Sequence, residues 1–482
     1  MEVKTIIKQQ QLSKLERFLQ IFTEVRTGEG ATALMMFANV FLILLAYYFI
    51  KPLREGWIAV SDISGLSKME VKAYSSFFQS ILFLFIVGWY GRLAVRWQRS
   101  TLIIRVTLFC IVNMMIFWFL QPGLFIQNLP YSGIIFYLWV GMFGLFIVAQ
   151  FWTFCADIYA DERGERLLPM IAIGATSGAA TGSWLVGELL DSGLLSVEAL
   201  LPVATIPLFI SMILTRLVDN RERLQPSPSQ EKSLQKHKKA ARKAMRFLLS
   251  GARLIFTSKF LFAAALVTIL SNWVNTNGEN LLFRVIMETL TNQAAQQNIT
   301  APAEILDFTR SGTAQFYGNF FFWVNIMALL LQSLLASRLL KFGGFGAIAM
   351  LLPVIALISY SLMALLPILI VIKISKIAEN ATDYSINNTA RHVLWLPVSS
   401  VMKYKGKPAI DTLYVRLGDG LAALTVLIGV QLLALSTRQF FIFNVTLVVT
   451  WLLFTIMLIA EYRNTSRKKD ANSTDKGGNH GR

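Results

Sequence analysis

The chain has 482 residues, of which 55% are hydrophobic and only 15% charged, with a mean hydropathy of +0.55. A water-facing domain carries about 25% charged residues, so this composition excludes an ordinary soluble protein and points to a chain that crosses a bilayer repeatedly. The net charge of +17 would suggest nucleic acid in a soluble protein; here the Lys and Arg cluster in short loops, where cytoplasmic retention accounts for them without a nucleic-acid partner.

Residues 1–30 hold no apolar stretch followed by a small-residue cleavage site, so no signal peptide is expected there, only a basic N-terminal segment. A membrane helix needs about 20 mostly apolar residues. That window predicts six spans near 31–58, 74–92, 101–121, 133–158, 167–190 and 199–216. Span one closes on "YYFIKPLREGW", which sets Lys51, Arg54 and Glu55 directly after an apolar run. A charge at mid-membrane costs about 2.5–3.5 kcal/mol, so such residues are paired, line water, or snorkel to the interface. Span four, "AQFWTFCADIYADE", offers Gln150, Thr153 and Asp157. Span five places Gly174, Gly178 and Gly182 at every fourth position, a spacing that lets helix backbones approach closely. Cys110 and Cys155 sit apart in apolar segments, and neither a disulfide nor a metal site is expected of them.

Segment 217–257 is polar, basic and interrupted by Pro and Ser, as a cytoplasmic linker would be; from Ser233 onward it reads either as a surface-lying basic helix or as a solvated connection. Six further spans follow near 258–286, 315–337, 344–366, 367–396, 409–435 and 439–461. Span seven carries Asn272, Asn275, Thr276 and Glu279. Span ten carries Lys373, Lys376, Asn380, Asp383 and Asn387, whose spacing shares one face of a regular helix. Residues 462–482 are expected to form a disordered tail. Basic loops alternate with loops poor in Lys and Arg, which puts both termini in the cytoplasm. The fold class expected is an all-α membrane protein of about 12 transmembrane helices in two six-helix bundles, 31–216 and 258–461. "ADERGERLLPMIAIGA" and "MKYKGKPAIDTLYVRLGDG" echo each other weakly between the halves, as parallel repeats of a major facilitator-like arrangement do.

The polar stripes fall on the first, fourth, seventh and tenth spans, which surround the central cavity in that arrangement. Charges paired to stabilise helix contacts are the competing reading. No GxxxxGK[ST] loop, HExxH or paired His/Cys set is present, so no enzyme chemistry, cofactor or metal is expected.

Four stretches then carry a resemblance: "YYFIKPLREGW", "FWTFCADIYADERGERLLPMIAIGA", "NTNGE" and "DYSINNTARHVLWLPVSSVMKYKGKPAID". With them the chain resembles the ATP/ADP antiporter family of plastids and obligate intracellular bacteria, and more closely its relatives in other bacteria. The resemblance implies a nucleotide exchanger of the bacterial inner membrane, with no obligate protein partner. It implies that Lys51, Arg54 and Glu55 form the span-one charge cluster and that Glu279 is the span-seven glutamate. Glu162 and Arg166 before span five, with Lys403, Lys405, Lys407 and Asp411 in the basic loop, fall at the cytoplasmic mouth and gate. Span one departs from the plastid members' Arg-Asp-x-x-Lys-Asp cluster, and Arg391-His392 stands where those members have Lys-Glu. The substrate set expected is Lys51, Arg54, Glu55, Gln150, Asp157, Asn272, Asn275, Glu279, Lys373, Lys376, Asp383 and Asn387, with Lys51, Arg54 and Lys376 meeting phosphate, and Gln150, Asn272 and Asn275 meeting base or ribose. Two rivals stay open: a proton-coupled major facilitator carrier for another organic anion, and a membrane protein that transports nothing.

Overall fold

A hydrocarbon layer offers the backbone no hydrogen-bond partner, so a chain this apolar satisfies its amides within helices. The computed structural model describes residues 13–20, 24–96, 99–122, 124–125, 129, 131–159, 161–223, 253–399 and 402–477, and they are almost wholly helical. After a short helix, Lys14–Leu19, the described residues form twelve long helices. They are α1 (Gly30–Ala59), α2 (Lys68–Arg96), α3 (Arg99–Leu120), α4 (Ser132–Ile158), α5 (Asp161–Asp191) and α6 (Leu200–Arg223). The second six are α7 (Lys259–Gln296), α8 (Pro302–Leu331), α9 (Ser337–Leu365), α10 (Leu369–Thr382, continued to Val393), α11 (Lys407–Leu432) and α12 (Thr437–Gly477). Large apolar side chains such as Phe78, Phe85, Phe109 and Leu453 remain exposed on helix faces, as lipid contact requires. The protein is an all-α, major facilitator-like membrane protein.

Among the described residues, eight helical stretches are long and apolar enough to qualify as spans by composition, one of them covering both α8 and α9. Gly344, at φ +62°, breaks α9 near its start; only glycine takes that backbone without strain. Helices α5 and α10 fall short for chemical reasons: α5 is rich in Gly, Ser and Thr, and α10 carries the Lys/Glu/Asp stripe.

Within the first six helices, α1 packs on α4, α5 and α6; within the second six, α7 and α9 pack on α12, and α7 on α11. Across the middle, α8 lies along α1 and α5, while α2 lies along α7 and α11. The glycines of α5 meet α1: a methyl on Gly174 would come to 2.7 Å from the Phe37 carbonyl oxygen, and one on Gly182 to 2.6 Å from that of Leu45. Close helix packing is what the four-residue spacing predicted.

Two expectations change. The stretch between the spans expected to end at 286 and start at 315 is mostly helix rather than loop, because α7 runs to Gln296 and α8 starts at Pro302. The tail is not disordered from 462, because α12 continues to Gly477. Both extensions are polar helix that hydropathy does not register. The surface helix expected from Ser233 lies outside the described residues.

For orientation, the face where α1 begins and α12 ends is called the terminal face, and its opposite the far face.

Candidate functional site

Lys51 lies two-thirds of the way along α1, beyond which Pro52 continues the helix. Its ammonium stands 3.7 Å from the centroid of the Phe321 ring on α8 and 5.1 Å from that of Tyr48. Among the described residues no carboxylate comes within 4 Å of it. Aromatic faces hold a cation without neutralising it, so the charge stays available to an anion.

One turn on, Arg54 pairs with Glu55 and lays its guanidinium 4.4 Å from the Tyr137 ring centroid on α4. Glu55 has a second partner in Lys72 of α2, at 2.8 Å. Lys72 also donates to the Tyr317 hydroxyl on α8, at 3.2 Å, and lies 4.5 Å from the Phe283 ring centroid on α7. Glu55 and Lys72 are buried, and Arg54 nearly so. Lys72 thus joins four helices, yet sequence reading missed it, because four residues into α2 it looks like an ordinary basic flank.

On the other half, the fully buried Lys376 donates to Glu379 at 2.9 Å and to Asn275 of α7 at 3.0 Å, with Glu279 of α7 at 3.8 Å. Asn380 donates to Glu279 at 2.7 Å, and the Tyr360 hydroxyl of α9 donates to Glu379 at 3.3 Å. Lys373 donates to Asn319 of α8 at 2.7 Å. The i, i+3, i+7 part of the α10 stripe therefore shares one face, as its spacing predicted. The stripe ends there. A π-turn at Asp383–Asn387 inserts wider backbone turns and changes the register. Asp383 is then satisfied on its own helix, by Asn387 at 2.6 Å and Arg391 at 3.2 Å.

The residues expected to hold a base are placed differently from that expectation. Asn272 donates to Asp419 at 2.6 Å and to the Val415 carbonyl at 2.8 Å, turning its amide to α11. Asp419 also accepts from Ser80 of α2, Thr276 and Arg416, a junction that sequence reading did not single out. Asn275 is committed to Lys376. Gln150 is buried, with neither amide atom hydrogen-bonded among the described residues, and Asp157 is half-buried.

The residues assigned to a mouth and gate divide. Arg166 pairs with Glu29 ahead of α1 at 3.1 Å, and Arg163 bridges Glu29 and Glu222. Lys407 pairs with Asp411 one turn on at 2.6 Å, while Lys403 and Lys405 are exposed. The side chain of Glu162 lies outside the described residues.

Between the halves, toward the terminal face, lies a cavity of about 960 Å³ walled by Trp152 and Tyr159 of α4 and its end, Gly164, Leu168, Pro169 and Ala172 of α5, and Asn388 and His392 of α10. On the far face, ion pairs and hydrogen bonds tie the helices together. Arg310 of α8, 2% exposed, pairs with Glu198 and donates to the Pro122 carbonyl at 2.6 Å, and Gln315 donates to Asp191 of α5 at 2.5 Å.

Helices paired across two halves, a polar centre and a cavity open toward one face define a major facilitator-like membrane protein. No family model matches the sequence. The chain is 22% identical over 341 residues to "ADP,ATP carrier protein 1" of Chlamydia pneumoniae, covering 63% of this chain and 62% of that protein's length. Among solved structures, the nucleoside transporter NupG superposes with a TM-score of 0.58 at 13% identity, over 88% of this chain and 99% of that one. A peptide transporter POT in complex with alafosfalin does so with 0.59 at 11% identity, over 94% and 99%. A POT family transporter in complex with 5-aminolevulinic acid gives 0.57 at 12% identity, over 90% and 96%. These likenesses establish the fold.

Proposed function

We propose that this protein is a secondary transporter that exchanges nucleotides across the bacterial inner membrane by alternating access, in the manner of ATP/ADP antiport. The observation that carries the reading is the charge at the centre: among the described residues, Lys51, Arg54, Lys72, Lys373 and Lys376 outnumber Glu55, Glu279 and Glu379, Lys51 is held by aromatic rings, and Lys373 by Asn319. A surplus of positive charge in low dielectric is costly to occlude when empty and is relieved by a polyanion. That favours exchange, because the return stroke also carries an anion. Lys51 and Arg54 meet the phosphates, and Lys376, locked by two glutamates and Asn275, orders the opposing wall. The likeness to an ADP,ATP carrier supports the nucleotide. In this reading the terminal face is cytoplasmic, residues 31–216 and 258–461 form the two rocking bundles, and the protein stands open inward.

Uptake of labelled ATP and ADP into proteoliposomes, with and without nucleotide inside, tests it. Uptake that depends on internal nucleotide is expected; no uptake of either under both conditions refutes the proposal. One observation favours the rival reading, a proton-coupled carrier for another organic anion: Glu379 is buried between Lys376 and Tyr360, where a carboxyl can exchange a proton with its partners. Uptake of a non-nucleotide anion driven by a pH gradient alone would select that alternative.

A further inference from the structure

The cavity toward the terminal face has polar groups that nothing else in the protein uses. Tyr159, 3% exposed, lines it as a residue, while its hydroxyl is buried and has no hydrogen-bond partner among the described residues. Opposite, Asn388 and His392 stand one turn apart on α10, exposed, and neither side chain hydrogen-bonds to another described residue. The Trp152 indole forms part of the α4 wall, with Leu168 and Pro169 of α5 beside it. A flat aromatic and apolar wall facing a few convergent donors and acceptors is the chemistry that takes a planar heteroaromatic ring: the π-face stacks and the edge is read by hydrogen bonds.

We infer that this cavity is the base-binding subsite, with the ring against Trp152 and its edge read by Asn388 and His392, and that the base it selects is adenine. An asparagine amide offers one donor and one acceptor side by side, the complement of adenine N7 and its amino group. The inference rests on the nucleotide reading above and moves the base away from Gln150, Asn272 and Asn275, two of which are committed elsewhere. Along α10, Asn388 lies twelve residues beyond Lys376 toward the mouth, so the nucleotide lies with its base toward the mouth and its phosphates toward the central cations.

The test uses the full chain in proteoliposomes, comparing wild type with Trp152→Ala, Trp152→Phe and Asn388→Asp. ATP and GTP uptake is measured, with inhibition by inorganic triphosphate as a base-free probe. Wild type is expected to prefer ATP. Trp152→Ala raises the half-saturating ATP concentration about tenfold, whereas Trp152→Phe, which keeps a stacking ring, stays within about threefold. Asn388→Asp, which can only accept when ionised, abolishes or reverses the preference for ATP over GTP. Inhibition by triphosphate stays unchanged throughout. If wild type transports ATP but half-saturation and base preference are unmoved by Trp152→Ala and Asn388→Asp, the subsite is refuted and the nucleotide reading survives. If wild type takes up neither nucleotide, the nucleotide reading itself falls.

Discussion

Lys72 and Lys51 are both lysines within the membrane, yet their surroundings assign them different work. Lys72 is 5% exposed and one of two cations on a Glu55 that is 2% exposed. Lys72→Met leaves Glu55 to Arg54 alone and removes a charge-assisted hydrogen bond, so it is expected to cost about 1.5–3 kcal/mol, read as a fall in the thermal midpoint in detergent. Lys51 has only ring faces to lose, and Lys51→Met is expected to change stability by no more than about 1 kcal/mol. It should instead lower nucleotide uptake at least about tenfold, the loss of one charged contact to phosphate. Equal destabilisation by the two variants would contradict this division. The sequence disclosed Lys51 and Arg54 because charges that close a long apolar run stand out from it. Lys72 and Arg310 were not visible in that way: each lies in the outer turns of its helix, where basic residues are common and unremarked, and only the packing shows them buried.

The helix α5 shows how an element is set by what it omits. Its glycines bring it against α1 so closely that a methyl on Gly178 would collide with the Phe41 backbone, which cannot swing aside as a side chain can. Gly178→Val is therefore expected to cost about 1–3 kcal/mol by overpacking, while Gly187→Ala, whose methyl meets Asn319 at an ordinary 3.5 Å, is tolerated; thermal unfolding of the two variants checks the contrast. The same helix is tied at its start to the segment before α1. Burial pushes the Glu29 carboxyl up, but hydrogen bonds from Arg166 and the Arg26 backbone, with the charges of Arg166 and Arg163, outweigh it and hold Glu29 below its ordinary value of 4.5. A carboxylate so depressed contributes fully above its ordinary value and loses that contribution as pH falls through the lowered one. Stability should decline on acidification below about pH 4.5 and decline less in Glu29→Gln, as pH-dependent melting would show. Span number and span order were legible because hydropathy reports the hydrocarbon-facing part of each helix. Helix ends were not, because α7, α8 and α12 continue as polar helix beyond it, and the α10 stripe failed past Asn380 because a π-turn breaks the 3.6-residue period on which the reading relied.

At the scale of the whole molecule, the question is what holds α8 against α5 on the far face, opposite the cavity. The seam between α5 and α8 is tight: Gly187 and Gly318 pass backbone to backbone, so van der Waals contact closes it but brings no switchable energy. The Arg310–Glu198 pair is different in kind. Arg310 is 2% exposed and reaches from α8 to the α5–α6 connection and to the Pro122 carbonyl, so opening the far face separates a buried charge from these two partners and leaves it Asp307, 3.5 Å away on its own helix. Glu198 is 21% exposed and recovers water when released, which limits the opening cost to part of that of a fully buried pair. Arg310→Ala should accordingly raise the far-open population at least about tenfold, and Glu198→Gln should raise it less, because a neutral amide still accepts from the guanidinium. A cysteine in place of Thr313, which is fully buried on α8, reports that population by its rate of maleimide labelling; Cys110 and Cys155 are both buried and contribute little background. Labelling that quickens in Arg310→Ala and, more weakly, in Glu198→Gln identifies the pair as the latch of the far gate. Rates unchanged in both would mean that glycine packing and the Gln315–Asp191 contact hold the seam by themselves, leaving Arg310 a fixed strut.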